Sequence, residues 1–326
     1  MSSQGEAAAA RAAAALFRRP ECGLLEVTGA DRARWLDGML TNAVTTLAPG
    51  REGSGCPALL LTRTGRIVAD PHVLALEAGF WLDVSREELA TTRETLERYI
   101  VADRVELRDA SPQWERLAIE GPAAPRVLEA ALGEPFELAA YAGAPCELAG
   151  AQVVVAATGF TAVARQIFVP SGSGEAVVER LLQAGADFGL VEAGGAALEI
   201  LRIEAGVPRL GIELDETVLP AEANLEHAIS FTKGCYTGQE IVTRLQSRGS
   251  ASHRLVGLAF EAAAPAEVGA PIADGERSVG ELTSACVSPA AGAIGLGFVR
   301  AASAEPGTRL RVGAAATTVA PLPFVA

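Results

Sequence analysis

The segment Lys233–Glu240, with the sequence KGCYTGQE, brings together side chains whose types and spacing suit thiol chemistry. Thr237 and Glu240 have the spacing of a capping box, which predicts a helix that begins just after Cys235. The positive end of that helix and the ammonium group of Lys233 would both favour the thiolate form of Cys235. We therefore predict that Cys235 is a reactive thiol rather than an inert, buried one. The other motif residues of this candidate site are Gly234, Tyr236, Gly238 and Gln239.

Lys233 is the only lysine of the chain, since one of the 27 basic residues is lysine and 27 − 1 = 26 are arginine. Most surface positions need only a positive charge, which arginine supplies equally well. A position that retains lysine is expected to need a compact ammonium group that can give up its proton or approach its partners closely, neither of which a guanidinium does. Chance is the alternative explanation, because a single lysine must fall somewhere.

The remaining four cysteines have neither charged nor glycine-rich neighbours, and we predict that they are inert. They are Cys22, Cys56, Cys146 and Cys286. No CxxC pair or cysteine–histidine cluster occurs, so the sequence predicts neither a disulfide framework nor a metal site. A cysteine hydrolase would need a histidine beside Cys235, and His227, eight residues upstream, is the candidate.

Charge and hydropathy argue against two classes of partner. The formal net charge of the 326 residues is −13, so no broad basic face is available to bind nucleic acid. The longest nearly uncharged stretch, Leu148–Ala164, is interrupted by glycine and rich in valine, which is typical of paired strands rather than a membrane span. We predict a soluble, cytoplasmic protein that contacts neither nucleic acid nor membrane directly.

The apolar periodicity predicts an α+β fold that would position the cysteine motif. Predicted helices with a continuous apolar face are Asp31–Leu40, Ser85 to about Tyr99, and Gly194–Glu204. Asp31 and Ser85 are the predicted N-caps, and Glu88 would complete a capping box with Ser85. The Ala-rich N-terminus is expected to form a weakly attached helix.

From about Gly249 onward, short valine- and leucine-bearing runs alternate with Gly, Pro and Asp. This pattern predicts a compact β-domain of barrel or sandwich type. We therefore divide the chain into a body at residues 1–248 and a C-terminal β-domain at residues 249–326. Within the body, residues 50–115 are expected to form an inner subdomain that is intertwined with the rest.

Several segments together resemble one known family. KGCYTGQE and the preceding LRIEAGVPRLGIELDETVLPAEANLEHAISF resemble the YgfZ-type folate-binding proteins, which are relatives of the aminomethyltransferase (T-protein) of the glycine cleavage system. The earlier segments DRARWLDGMLTNAV, TRTGRIVADPHV and ERYIVADRVELRD resemble that family as well, so the likeness spans nearly the whole chain. It implies an aminomethyltransferase-like, folate-binding body of ferredoxin-like modules, with a C-terminal β-barrel domain.

The resemblance also implies tetrahydrofolate as the cofactor and assigns residues to it. Glu204 matches the family's carboxylate that accepts two hydrogen bonds from the pterin ring, although a surface ion pair is the alternative. Asn42 lies in a family-like segment and is a further candidate. Arg209, Arg244 and Arg248 are candidates for the anionic glutamyl tail of folate.

An aspartate near the reactive nitrogens of folate is used by the relatives that transfer an aminomethyl group. Asp70 or Asp83 is expected to take that place here, and the sequence does not decide between them. One position departs from the family, because Ala43 stands where many relatives have an acid. Any acid–base role at position 43 is therefore lost.

Three functions follow from these residues. The first is a folate-binding accessory protein that helps to assemble or repair iron–sulfur proteins, with consequences for tRNA-modifying enzymes, and that has no conventional turnover. Its partners would be iron–sulfur client or assembly proteins, and Cys235 would take part in thiol, persulfide or transient cluster chemistry. The second is a folate-dependent aminomethyl or methyl transferase, and the third is a cysteine hydrolase.

Overall fold

The computed structural model describes residues 1–248 and 251–325, without the side chains of residues 246–248. The helices in this part of the chain are α1 Ser3–Ala12, α2 Arg32–Met39, α3 Leu89–Glu97, α4 Ala124–Leu132, α5 Gly174–Gly185, α6 Gly195–Ala205 and α7 Gln239–Arg248. None of these described helices is long and apolar enough to cross a membrane.

The strands of the body are β1 Ala14–Arg18, β2 Cys22–Thr28, β3 Gly55–Pro57, β4 Leu60–Leu61, β5 Ile67–Ala69, β6 His72–Leu76, β7 Gly79–Ser85, β8 Glu106–Asp109, β9 Trp114–Glu120, β10 Gly143–Leu148, β11 Ala151–Ala156, β12 Arg165–Pro170 and β13 Leu190–Ala193. The strands of the C-terminal domain are β14 His253–Phe260, β15 Pro271–Asp274, β16 Arg277–Ser288, β17 Gly292–Arg300, β18 Arg309–Val312 and β19 Ala315–Ala320.

The first sheet of the body has six strands in the order β10-β11-β12-β9-β1-β13. Neighbouring strands in this sheet are antiparallel, except that β1 and β13 run parallel to each other. Because side chains alternate between the faces of a strand, Leu16 packs on the side of α4 and α5, whereas Ala15 and Phe17 pack on the side of α1 and α6. The central strands of this sheet are therefore covered on both faces.

The second sheet has five antiparallel strands in the order β3-β6-β7-β2-β8. One face packs against α2 and α3 through a cluster that includes Trp35 and Leu96. The other face meets the first sheet, where the rings of Trp81 and Phe168 lie 5.2 Å apart. The two sheets thus stack face to face, and both contribute strands to the cavity described below.

The C-terminal domain is a closed six-stranded barrel with the order β14-β17-β16-β15-β18-β19. Closure brings β16 and β17 so close together that a Cβ at Gly280 would lie within 1.8 Å of the Phe298 carbonyl oxygen. Ile203 of α6 packs against Leu255 and Leu296 of the barrel, which joins the barrel to the body. The predicted α+β fold with a C-terminal β-barrel is confirmed.

Some local predictions are wrong. The N-terminal helix is firmly attached, because its small Ala7 and Ala10 side chains are fully buried against α6. Asp31 occupies the predicted N-cap position of α2, but its side chain makes no capping hydrogen bond and its carboxylate instead accepts the backbone N–H of Arg104 at 2.9 Å. Ser85 ends β7 and α3 begins only at Leu89, so the capping box predicted at Ser85 is not formed there.

Candidate functional site

A two-chambered cavity lies between the sheets of the body and the C-terminal end of the chain. The inner chamber, about 440 Å³, is lined among others by Asp70, His72, Asp83 and Gln166. The outer chamber, about 910 Å³, is lined among others by Arg11, Arg165, Pro122 and Val325. Tyr141, Thr158, Gly159 and Phe160 line both chambers, so the chambers adjoin. Their volumes are in the range that encloses small-molecule ligands.

A buried carboxylate holds the loop that separates the chambers. Glu120 is fully buried, and its oxygens accept the backbone N–H groups of Phe160 at 3.0 Å and Thr161 at 2.8 Å. Burial raises the pKa of Glu120, and the hydrogen bonds from the loop oppose that effect. A Cβ at Gly159 would lie 2.4 Å from a Glu120 oxygen, so the loop approaches Glu120 as only glycine allows.

The two candidate aspartates both line the inner chamber, and their surroundings differ. Asp83 on β7 forms an ion pair with Arg116 at 2.5 Å, so its carboxylate already has a cationic partner. Asp70 follows β5 directly, and burial raises the pKa of its carboxyl to about 7, with the neighbouring charge of Asp83 acting in the same direction. A carboxyl with a pKa near 7 can exchange a proton near neutral pH.

Glu204 lies near this cavity but has its carboxylate fully engaged. The side chain is 0% exposed; one oxygen accepts from Arg11 Nε at 2.7 Å and the other from the hydroxyl of Ser288 at 2.5 Å. Its neighbour Ala205 lines both chambers, whereas Glu204 itself lines neither. The carboxylate joins α1 to the barrel, and pterin recognition by Glu204 stays a prediction.

Lys233 is buried, with 3% of its side chain exposed, and it caps the end of α2. Its ammonium donates to the backbone carbonyls of Asp37, Leu40 at 2.9 Å and Asn42 at 2.8 Å, and pairs with the Asp37 carboxylate at 3.3 Å. These three carbonyls use all three donors of the ammonium group. Burial lowers the pKa of Lys233, and Asp37 opposes that shift. The need for a compact ammonium therefore has a structural cause.

Cys235 is exposed, and it does not line either chamber. The next residue, Tyr236, is buried in a cluster with Leu59, Leu225 and Ala228, three residues that also line the inner chamber. Burial raises the pKa of Tyr236 to about 12. The residue after the thiol thus packs against residues of the cavity wall.

The helix after Cys235 begins at Gln239, close to its predicted start. Gly238 precedes it with φ +84°, and a Cβ there would lie 2.7 Å from the Thr62 carbonyl oxygen, so this position requires glycine. Glu240 is 84% exposed and pairs with Arg244 at 3.4 Å. The exposed helix start leaves Cys235 accessible from solvent.

The other candidate residues make local contacts. The amide of Asn42 donates to the Pro57 carbonyl at 2.8 Å and its oxygen accepts the N–H of Ala43 at 2.9 Å. Arg209 pairs with Glu199 at 3.2 Å. Neither Asn42 nor Arg209 lines a chamber. The side chain of Arg248 lies outside the described residues.

Sequence reasoning did not single out three polar residues that line the cavity, His72, Gln166 and Arg165. Each is largely buried and carries one polar atom without a hydrogen-bond partner among the described residues, namely His72 Nδ1, Gln166 Oε1 and Arg165 Nε. Buried polar atoms normally have partners, so unpartnered ones on a cavity wall indicate a polar ligand. The sequence did contain a signal for these residues, because each is a polar residue within an otherwise apolar strand. His72 begins HVLAL, and Arg165 and Gln166 begin RQIFVP.

The described part of the chain has no cluster of histidine, cysteine, aspartate or glutamate that could hold a metal ion. In the same part of the chain, no hydrogen bond joins the Cys235 thiol to His227. The side chain of His227 lines the inner chamber instead. The geometry therefore offers no support for a cysteine hydrolase, which needs a base within reach of the thiol.

Comparison with known proteins covers almost the whole chain. Residues 1–233 match the family model described as the GCVT N-terminal domain, and residues 253–325 match the glycine cleavage T-protein C-terminal barrel domain. An aminomethyltransferase of Streptomyces avermitilis is 31% identical over 94% of this chain and 84% of its own length. A putative chloroplastic transferase of Arabidopsis thaliana is 31% identical over 89% of this chain and 66% of its own length.

A solved structure shares the fold. The glycine cleavage system aminomethyltransferase T of Bartonella henselae superposes with a TM-score of 0.87 at 26% identity, over 99% of this chain and 89% of that one. Proteins built from these two domains use tetrahydrofolate as substrate or cofactor. Through both of its domains, this chain belongs to the family of the glycine cleavage T-protein.

Proposed function

We propose that this protein binds tetrahydrofolate in the two-chambered cavity and transfers a one-carbon unit to or from it, as a folate-dependent aminomethyltransferase-like enzyme. The observation that carries the proposal is the Asp70 carboxyl on the wall of the inner chamber, with its pKa raised to about 7. The similarity to aminomethyltransferases over more than nine tenths of the chain supports the same reaction class.

The chemistry needs one group that handles protons beside the reacting nitrogens. Tetrahydrofolate, when bound, supplies amine nitrogens that carry a one-carbon unit. A carboxyl whose pKa lies near 7 exists in both protonation states at neutral pH, so Asp70 can take a proton from an amine nitrogen or return one. Asp83, paired with Arg116, is a neighbouring carboxylate whose negative charge raises the pKa of Asp70 and so favours its proton-holding form.

The test combines a binding and a turnover measurement on Asp70→Asn. We expect tetrahydrofolate to bind the variant within about threefold of wild type, while folate-dependent turnover of an aminomethyl-lipoyl protein or an N-methyl amine falls by about 10²- to 10⁴-fold. The exposed Asp187→Asn is the matched control and should retain activity. Absence of folate binding to the wild-type protein would refute the proposal, and undiminished turnover in Asp70→Asn would refute its catalytic part.

A second candidate function rests on the cysteine motif. In it the folate-bound protein assists the assembly or repair of iron–sulfur proteins, as a YgfZ-type factor whose Cys235 thiol meets a client. The supporting observation is that Cys235 is exposed on a loop whose neighbours Lys233 and Tyr236 are buried. The thiol is therefore held at a defined place on the surface and does not face the folate cavity.

Complementation separates the two functions. In a strain that lacks this protein, the iron–sulfur role predicts that Cys235→Ser fails to restore iron–sulfur enzyme activity, whereas Asp70→Asn still does so if no turnover is needed. The partly buried Cys146→Ser serves as the thiol control. Full complementation by Cys235→Ser would reject the thiol role and leave the one-carbon transferase as the function.

A further inference from the structure

A separate pocket of about 480 Å³, here called the arginine pocket, is formed by the turn between β1 and β2, the start of β9 and the residue after β7. Four arginines line it, namely Arg18, Arg19, Arg86 and Arg116. Of its lining residues in the described chain, only Arg19 also lines a chamber of the cavity. We propose that the arginine pocket binds a phosphate ester that carries a planar ring. This site goes beyond the proposed function and does not depend on it.

Arg116 is the buried arginine of this pocket. It is 93% buried, its guanidinium carbon lies 3.4 Å from the centre of the Phe168 ring, and its Nη1 pairs with Asp83. Its Nε is buried without a hydrogen-bond partner among the described residues. Buried polar atoms normally have partners, so a guanidinium with an unused donor on a pocket wall indicates a ligand that accepts hydrogen bonds.

Arg86 adds a second guanidinium with unused donors. The residue is exposed and follows β7, and its Nε donates to the Pro20 carbonyl at 3.0 Å. Its backbone N–H donates to the Glu21 carbonyl at 2.8 Å, which fixes the position of the residue beside the pocket. Arg86 forms no ion pair within the described part of the chain, so its guanidinium can bind an anion. Phosphate oxygens accept such charge-assisted hydrogen bonds from the planar fork of arginine.

The anionic and thiol groups of the pocket do not provide the missing acceptor. Glu115 is the one carboxylate among the described lining residues, and its Oε1 accepts the backbone N–H of Gly172 at 2.8 Å. Burial raises the pKa of the Cys22 thiol to about 11, so this thiol is uncharged at neutral pH. Arg18 and Arg19 have carboxylate partners of their own. The unused donors that remain are therefore those of the other two arginines.

The apolar wall of the pocket favours a ligand larger than inorganic phosphate. Trp114 is partly exposed there, and its ring packs edge-on against Trp81 with the ring centroids 4.7 Å apart. Pro20, Pro112 and Leu117 also line the pocket. An indole held in this way offers a surface on which a planar ring can stack. A volume of about 480 Å³ lies in the range of sites for small organic molecules.

Calorimetric titration of the full-length protein with inorganic phosphate and with AMP tests the site. Wild type is compared with Arg86→Gln and with Arg254→Gln, which removes an exposed arginine of β14 that lines neither the arginine pocket nor the cavity. We expect wild type and Arg254→Gln to bind both anions, and AMP more tightly than phosphate. Arg86→Gln should weaken the binding of both by about tenfold, because the phosphate loses charge-assisted hydrogen bonds.

Two further variants locate the ligand. Trp114→Leu should weaken AMP binding by about tenfold and leave phosphate binding unchanged, because only AMP has a ring to stack. Arg165→Gln removes a guanidinium from the outer chamber and should leave the affinity for AMP unchanged. Thermal unfolding of each variant shows whether the fold is intact.

The outcomes decide each part of the inference. If wild type binds neither phosphate nor AMP, or if Arg86→Gln binds both as wild type does, the arginine pocket is not an anion site. If Arg165→Gln weakens AMP binding and Arg86→Gln does not, the anion binds in the cavity and the assignment is wrong. If Trp114→Leu binds AMP as wild type does, the ligand class is wrong. Tetrahydrofolate binding is measured separately, so none of these failures bears on the proposed function.

Discussion

Asp70 illustrates how the position of one carboxyl decides its chemistry. Its pKa of about 7 results first from burial and then from the nearby negative charge of Asp83. Asp83, on the next strand but one, forms an ion pair with Arg116, whereas no ion pair of Asp70 occurs among the described residues. The two aspartates on one cavity wall therefore differ in their surroundings, and a carboxyl with a raised pKa in a cavity is a common feature of sites for acid–base work.

The raised pKa of Asp70 has a consequence for stability that can be measured. A carboxyl whose pKa is higher in the folded state favours folding fully below its ordinary value of about 3.8, and that contribution is lost as the pH rises through about 7. Asp70→Asn removes the buried charge. We expect the unfolding free energy of Asp70→Asn to equal that of wild type at pH 4 and to exceed it by on the order of 2 kcal/mol at pH 8.

Urea unfolding of wild type and Asp70→Asn across this pH range tests the expectation. Asp187→Asn, at an exposed position, should show no such pH dependence. An equal effect of Asp70→Asn at pH 4 and pH 8 would contradict the raised pKa.

At the scale of elements, the most informative contact is the one between Lys233 and α2. The Lys233 ammonium donates hydrogen bonds to backbone carbonyls at the end of α2. These bonds hold the start of the KGCYTGQE segment against that helix. Thr237 reinforces this link, since its backbone N–H donates to the Gly38 carbonyl at 3.2 Å. The motif residues therefore divide by role, because Lys233, Tyr236 and Gly238 shape the loop and Cys235 is left exposed.

Substitution of Lys233 should therefore act on stability. We expect Lys233→Met to lower the unfolding free energy by about 3 kcal/mol, because three carbonyls and the Asp37 carboxylate lose their buried donor. Lys233→Arg should also destabilise, by about 1 to 3 kcal/mol, since the larger planar group overfills a site built for an ammonium.

Chemical denaturation measures both variants, and the exposed Arg254→Lys serves as a control for exchanging the two cations. If Lys233→Arg were as stable as wild type, the retention of a single lysine would have no steric cause.

At the scale of the whole molecule, a buried ion network joins the barrel to the body. Arg202 of α6 is 2% exposed and donates to the fully buried Glu213 at 3.1 Å and to Ser284 of the barrel at 2.7 Å. Ser284 in turn donates to Glu213 at 2.5 Å. α6, which carries Arg202, ends at Ala205 on the wall of the inner chamber, so the network lies on the helix that leads to the cavity.

Removing one partner of this network leaves a charge buried without compensation. We expect Arg202→Met to lower the unfolding free energy by about 3 to 5 kcal/mol, and the double variant Arg202→Met with Glu213→Gln to recover part of the loss. Differential scanning calorimetry of both variants is the measurement. Additive losses in the double variant would mean that the two residues do not act as a pair.

The sequence by itself determined the features that arise from interactions between residues close together in the chain. The apolar period of α6 and the alternating runs of the barrel strands depend on neighbours close in the chain, and these features were predictable. Family-like segments then specified the fold and the use of tetrahydrofolate. The unusual status of Lys233 was visible from composition alone, although its cause was not.

Only the tertiary structure decided which polar groups meet. Arg11 and Ser288, at opposite ends of the chain, occupy the carboxylate of Glu204, and no local pattern reports such a contact. The surroundings of Asp70 and Asp83 differ, because burial raises the pKa of Asp70 while Arg116 on another sheet pairs with Asp83. Burial and charge pairing arise from residues far apart in sequence, so the chemistry of a carboxyl is settled by the fold around it.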